Sequence, residues 1–404
     1  MAVTSGVNEG GGHLGTPVRL RCGVTLKNRL VKAAMSDSLG DGAGGVTDEQ
    51  VALYRRWVSG GAALSIVGEV QVDPRYPEKP GNLVLGGDAN DESLRRLAGV
   101  VASSGAHIWP QLGHAGAMAD PRVADPVGPS RLELDDVACR EMTVAEIEAL
   151  PEVYGRAARR AADLGFTGVE IHAAHGFLLS QFLSPLFNQR RDRYGGSIEA
   201  RSRVILEVVD RVRQVTSPGF AVGVKINATD ELVDGFDQAD ALAVIEMLGA
   251  HGVDLVDVSG GTYFPGAASS SDRPSSGPYY AGFARRARQV TDATLMLTGG
   301  FRTRRDAEML ISDGTVDLVG LARPMVLDPD LAHHWTGGGG EDPVFPRFAS
   351  SPPGGVTAWY TMQLTALAQG LRPTDDSTPD SALAEYDERD DRRAVRWRRQ
   401  HERR

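Results

Sequence analysis

Eight short, mostly apolar runs alternate with helical patterns along this chain, and that alternation constrains its fold more than any other feature. The runs read as strands over Leu30 to Ser36, Leu64 to Val70, His107 to Gly113, Gly168 to Ala174, Ala221 to Ala228, Leu255 to Gly260, Leu295 to Gly300 and Leu318 to Arg323. Each has strand length and β-branched residues, and several are nearly continuous in apolar residues, as suits strands covered on both faces. Their order predicts an α/β fold, a (β/α)8 TIM barrel. In such a barrel the C-terminal strand ends share one rim, where loops build an active site over a packed interior. Those ends carry Met35-Ser36, Gly68-Glu69, Gln111, His172, Lys225, Ser259-Gly260, Gly299-Gly300 and Ala322-Arg323, so the pattern locates chemistry as well as architecture.

Helix boundaries are legible too. Thr47 with Gln50 and Thr143 with Glu146 have capping-box spacing ahead of apolar periodicity, and Gly165 and Gly314 fall where helices should stop. Pro17 to Leu26 reads as two short strands around a turn at Gly23, a hairpin placed to plug the barrel bottom. After the eighth strand, Gly337 to Gly340 is a flexible break, and Thr357 to Gln369 a helix with Trp359, Met362 and Ala366 on its packing side. From Arg372 the chain turns polar, with acidic residues around Asp387 to Asp391 followed by Arg392, Arg393, Arg396, Arg398, Arg399, Arg403 and Arg404. Charge runs of this kind read as a solvated or frayed helical tail. The 404 residues exceed the roughly 250 of a bare barrel. Residues 1–336 are therefore expected to form the barrel with its hairpin, and 337–404 a C-terminal extension.

A formal net charge of −10, with no basic face interleaved with aromatics, weighs against nucleic acid as a partner. The start, MAVTSGVNEGGGHLG, has no apolar core of signal-peptide length, and no segment approaches the roughly 18 apolar residues of a membrane span. A soluble, cytoplasmic protein without a membrane partner is expected. Cys22 and Cys139 make no CxxC pair and are too few for an iron-sulfur cluster, so they read as reduced and structural.

The most specific stretch is Val169-Glu170-Ile171-His172-Ala173-Ala174-His175-Gly176-Phe177, continuing through Gln181 to Asn188, Arg190, Asp192 and Tyr194-Gly195-Gly196-Ser197. His172 ends a strand and His175 follows as the chain turns away, so both imidazoles can converge above the barrel. Three readings compete: a metal site, which lacks a third ligand nearby; two structural histidines, although a barrel rim is not a core; and a pair of donors polarising a carbonyl, which fits best. Gly299-Gly300, running toward a helix opened by Thr303 and Asp306, and Arg323 beyond it, suit a phosphate. Tight turns alone would also account for those glycines.

Together these motifs resemble the Old Yellow Enzyme family of FMN-dependent oxidoreductases, in its bacterial branch with a His/His substrate pair. The match runs from about Pro17 to Pro329, through Leu26-Lys27-Asn28-Arg29, Gln111-Leu112-Gly113-His114-Ala115-Gly116, the stretch around His172, and the Gly299 and Arg323 segments in order. The resemblance implies FMN as cofactor and NAD(P)H as electron donor, with Ala33, Ala34, Met35 and Ser36 along the isoalloxazine ring and Gly68 and Gln111 near its pyrimidine side. Lys225 would sit by N1 and O2, where negative charge gathers on reduction. Gly299, Gly300, Ala322 and Arg323 would hold the phosphate. His172, over the cofactor, and His175 would bind the oxygen of an enone or enal, with Phe177 lining the substrate site. Hydride would pass from NAD(P)H to flavin N5 and then to the β-carbon of this small-molecule substrate. A homo-oligomer is the family expectation.

The chain departs from the family where it matters. Phe177 stands where many members carry a tyrosine proton donor, with Tyr263 and Tyr279 as candidate substitutes. That supports an alternative, a flavin-dependent dehydrogenase or redox-neutral isomerase of a cyclic enone-type metabolite. Ser36 and Ser38 replace a frequent cysteine and tyrosine, and Ala117 a frequent arginine. On the residues alone, a barrel binding a phosphorylated metabolite without flavin is a further reading.

Overall fold

The computed structural model describes residues 13–134, 137–264, 277–371 and 377–401. Strands β1 (Leu30–Lys32), β2 (Leu64–Gln71), β3 (His107–Gly113), β4 (Gly168–Ala173), β5 (Ala221–Asn227), β6 (Leu255–Ser259), β7 (Thr294–Thr298) and β8 (Leu318–Leu321) pair in parallel and in sequence order. β1 pairs with both β8 and β2, which closes the (β/α)8 barrel. The expected runs and observed strands coincide, differing by a few residues at their C-terminal ends. There the chain leaves the ladder to carry the rim residues.

The lower interior is apolar: Ile66, Trp109, Leu255, Met296 and Leu318 pack with Val18, Leu20 and Leu26 of the hairpin, which plugs the floor as expected. Helices α1 (Asp48–Ser59), α2 (Asp91–Ala98), α3 (Val144–Asp163), α4 (Ile198–Val215), α5 (Gln238–Ala250), α6 (Ala281–Ala287) and α7 (Arg304–Ser312) follow successive strands. Thr47 Oγ1 accepts from Gln50 N at 3.2 Å, and Thr143 with Glu146 forms the full reciprocal box. Gly165 and Gly314, at φ 97° and 73°, sit just past helix ends in the left-handed region that glycine adopts without strain. β1 also buries a lysine. Lys32 is buried behind β1, where its ammonium lies 4.9 and 4.5 Å from the ring centres of Tyr54 and Trp57, and burial pushes it down to about 7.

Beyond α8 (Leu331–Thr336) the chain forms α9 (Gly355–Ala368) and α10 (Pro379–His401). In α9 the large apolar side chains that are buried are Trp359, Tyr360, Leu364 and Leu367, whereas Met362 and Ala366 are half-buried. The helix is covered on two sides, by the barrel and by α10, so a single stripe understates its burial. The charged tail is helical as expected, but α10 is not merely solvated or frayed: Ala382, Asp390, Ala394 and Trp397 are buried against the rim. Arg372, Arg403 and Arg404 lie outside the described residues, as does most of the loop from Tyr263 to Tyr280. No helix among the described residues is long and apolar enough to cross a membrane.

Candidate active site

His172 closes β4, where its Cα pairs with that of Lys225 on β5, and Lys225 pairs in turn with Asp257 on β6. Parallel register thus puts three polar residues in one layer above the apolar floor. Lys225 Nζ is ion-paired to Asp257, whose other oxygen accepts from Thr298 Oγ1 at 2.7 Å. Just below, Gln111 Nε2 donates to Glu170 Oε1 at 2.6 Å. Burial first, then the neighbouring Asp257, raises Glu170 above the ordinary carboxylate range. The stack holds one cation, one carboxylate and one protonated acid, which limits the cost of burying charge.

The two imidazoles come together as expected. Their ring centres are 5.2 Å apart, nearly perpendicular. Ala174 N donates to His172 Nδ1 at 3.3 Å, which assigns the ring proton of neutral His172 to Nε2. His175 sits at φ 60°, its backbone N–H donating to Asn227 Oδ1 at 3.1 Å and its Nε2 lying 3.0 Å from Ser259 Oγ. Burial is the main cause, with nearby charge second, that pushes His172 well below its ordinary value and His175 down to about 3. Both rings are uncharged hydrogen-bonding groups at neutral pH. Phe177, buried, lies edge-on to His172 at 5.1 Å, and Tyr263, 61% exposed, borders both His175 and Phe177 at 6.0 and 5.8 Å. Tyr279 is elsewhere: it covers Gly299, so of the two tyrosines only Tyr263 borders the histidines.

The segment after β1 crosses the rim. Ala33 N donates to Leu321 O at 2.9 Å, joining it to the end of β8, and Ser36, beyond the end of β1, bridges to Gly68 within β2. Between them, Ala34 and Met35 are half-buried. A Cβ on Gly68 would stand 3.0 Å from the Ala34 Cβ and 3.2 Å from the Gln111 side-chain Oε1, so glycine lets the segment after β1 and Gln111 pack this closely against β2. Ser36 Oγ donates to Glu78 Oε2 at 3.2 Å, while Ser38 is covered by α10.

At the opposite edge, Gly299 and Gly300 have φ 117° and 80°, beside Ala322 and Arg323 at the end of β8. The Arg323 guanidinium lies 5.1 Å from the ring centre of Tyr360 on α9. The sequence reading missed Tyr360, Asn227 and Glu78, and placed Glu69 and Ser259 on the rim without assigning either a role. Asn227 and Ser259 were visible as strand ends, but their partnership with His175 depends on register across two strands. Among the described residues no three His, Cys, Asp or Glu side chains assemble into a metal-holding set.

The family model for the NADH:flavin oxidoreductase / NADH oxidase family matches residues 13–338. A curated relative, NADH-dependent flavin oxidoreductase iliE of Hypocrea jecorina, is 35% identical over 353 residues, covering 79% of this chain and 88% of its own. NADPH dehydrogenase of Bacillus subtilis is 33% identical over 328 residues, covering 78% of this chain and 92% of that protein. Among solved structures, morphinone reductase superposes with a TM-score of 0.71 at 28% identity, over 84% of this chain and 93% of that one.

Proposed function

Because this chain belongs to the NADH:flavin oxidoreductase / NADH oxidase family and is an FMN-dependent oxidoreductase supplied by NAD(P)H, we propose that it reduces activated C=C bonds of enones or enals. The residues on the rim suit FMN. Beside Gly68, the Gln111 side-chain Oε1 is a ready acceptor for a ring N–H, and Lys225, ion-paired to Asp257, lies in the layer of His172. Gly299, Gly300 and Arg323 offer a left-handed glycine turn and a guanidinium, a combination that suits phosphate. We assign Ala33, Ala34, Met35, Ser36, Gly68, Gln111 and Lys225 to the ring and Gly299, Gly300, Ala322 and Arg323 to the phosphate. Bound there, FMN supplies hydride transfer between NAD(P)H and the acceptor.

The observation that carries the proposal is the neutral imidazole pair. His172 offers Nε2–H. With Ser259 Oγ–H donating to His175 Nε2, His175 offers Nδ1–H. Two fixed donors aimed at one carbonyl oxygen stabilise the negative charge that builds there as hydride adds to the β-carbon. Phe177 and Tyr263 provide apolar walls for the carbon skeleton.

Phe177 also favours a second reading, dehydrogenation or redox-neutral isomerisation of a cyclic enone-type metabolite, because its ring has no proton to give. Anaerobic stopped-flow absorbance separates the two. On the first reading NADH or NADPH bleaches the flavin and a cyclic enone restores its absorbance. A flavin that bleaches with nicotinamide but is reoxidised by no enone or enal overturns that reading in favour of the second.

A further inference from the structure

Glu69 lies near the C-terminal end of β2, beside His172, and is only 7% exposed. Its Oε1 lies 3.6 Å from His172 Nε2, too long for a hydrogen bond, and its Oε2 is buried with no hydrogen-bond partner among the described residues. A side chain on Gly113 of β3 would press within 3.3 Å of that oxygen, so a glycine leaves room for the carboxyl. A buried carboxyl oxygen with an unmet hydrogen-bond need, next to the two donors of the site, suggests a reaction partner rather than a packing element.

The groups facing it agree on its protonation. Glu78 approaches from the loop after β2, His172 from β4, Tyr154 from α3 and Tyr263 from the loop after β6. None brings a positive charge. Burial first, and Glu78 second, hold the Glu69 carboxyl well above the ordinary range, with the Gln71 side chain opposing. A protonated acid therefore stands beside His172, whose ring borders Phe177, a side chain with no proton to offer.

We propose that Glu69 is the general acid of this site, delivering the proton that completes reduction of the acceptor. The inference rests on the reading of the substrate as an activated C=C bond. Two electrons enter as hydride, originating from NAD(P)H, and form a C–H bond at the β-carbon. The C=C π pair moves toward the carbonyl, whose oxygen the histidines hold, and returns to form a C–H bond at the α-carbon as the Glu69 O–H bond breaks. Glu69 is left as carboxylate and regains its proton from water.

The test uses Glu69→Gln holoenzyme, which keeps shape and neutrality, under anaerobic stopped flow. In each variant the acceptor-driven reoxidation rate is divided by that variant's own NADH-driven reduction rate. The expected ratio falls about 10²-fold, a general-acid effect. In the unsubstituted protein reoxidation should slow as pH rises through the Glu69 value, because the protonated form exists only below it; Glu69→Gln should be slow and lack this limb. Glu69→Asp should recover part of the rate, and Phe177→Tyr should rescue Glu69→Gln. Independently of turnover, infrared difference spectra should contain a protonated-carboxyl band at neutral pH that Glu69→Gln removes. An unchanged ratio and pH limb in Glu69→Gln, the loss appearing in Tyr263→Phe instead, or absence of that band overturns the inference. If the unsubstituted protein reduces no enone or enal, the functional reading falls first and takes the inference with it.

Discussion

At the residue scale, the position of His175 depends on a neighbour that no local motif names. His175 holds a left-handed backbone at φ 60°, costly for a residue with a Cβ. Asn227 secures it: Oδ1 accepts from His175 N at 3.1 Å, and Nδ2 donates to Gly261 O at 2.8 Å, tying the loop after β4 to the loop after β6. Asn227→Ala leaves a buried donor and a buried acceptor unpaired, at about 1–3 kcal/mol each. Urea unfolding should register the lost stability. Because the imidazole loses its anchor, reoxidation by an enone should also fall toward the level of His175→Ala, which forfeits about 10²–10³-fold with one carbonyl donor. Normal reoxidation in Asn227→Ala would mean that Ser259 alone positions the ring.

At the scale of elements, α10 straps the catalytic face. Asp390 is fully buried beneath Arg122 at 3.7 Å and accepts from Ser38 Oγ at 3.4 Å; Arg393 reaches the Ser38 carbonyl, and Trp397 Nε1 donates to Pro74 O at 3.1 Å. One helix thereby braces the loops after β1, β2 and β3. The barrel strands were legible because burial on both faces writes itself as apolar runs. α10 was not, because its buried stripe is Ala382, Asp390, Ala394 and Trp397, with a single large apolar side chain among many charges. Lys32 escaped notice because what makes its burial tolerable lies on other elements: the rings of Tyr54 and Trp57, and the Ile66 carbonyl that accepts from its Nζ at 3.0 Å. Trp397→Ala should cost about 3–5 kcal/mol of docking energy, as large-to-small core changes do. Hydrogen exchange should then quicken in Pro379–His401 and in the segment around Ser38 while β4 and β5 stay protected; unchanged exchange in α10 would show that Trp397 does not anchor it.

For the whole molecule, the rim joins two chemistries from opposite sides of the barrel: hydrogen-bonding and charged groups over β2 to β6, and a glycine and arginine corner at β7 and β8. The sequence order of strand ends made both ends of this span visible. It did not reveal Tyr360, which reaches Arg323 from α9, outside the matched residues 13–338. A cofactor bridging both corners binds only the closed barrel, so its binding energy adds to folding stability by mass action: about 2.7 kcal/mol when free FMN is a hundredfold above its dissociation constant. Protein stripped of FMN should therefore melt at a lower temperature, and titrating FMN should raise the midpoint progressively. Arg323→Ala removes a charge-assisted contact worth about 1.5–3 kcal/mol, so roughly ten- to a hundredfold more FMN should be needed for the same shift. If Arg323→Ala instead follows the unsubstituted titration curve, the phosphate is held elsewhere, and Gly299 and Gly300 serve only to turn the chain beneath Tyr279.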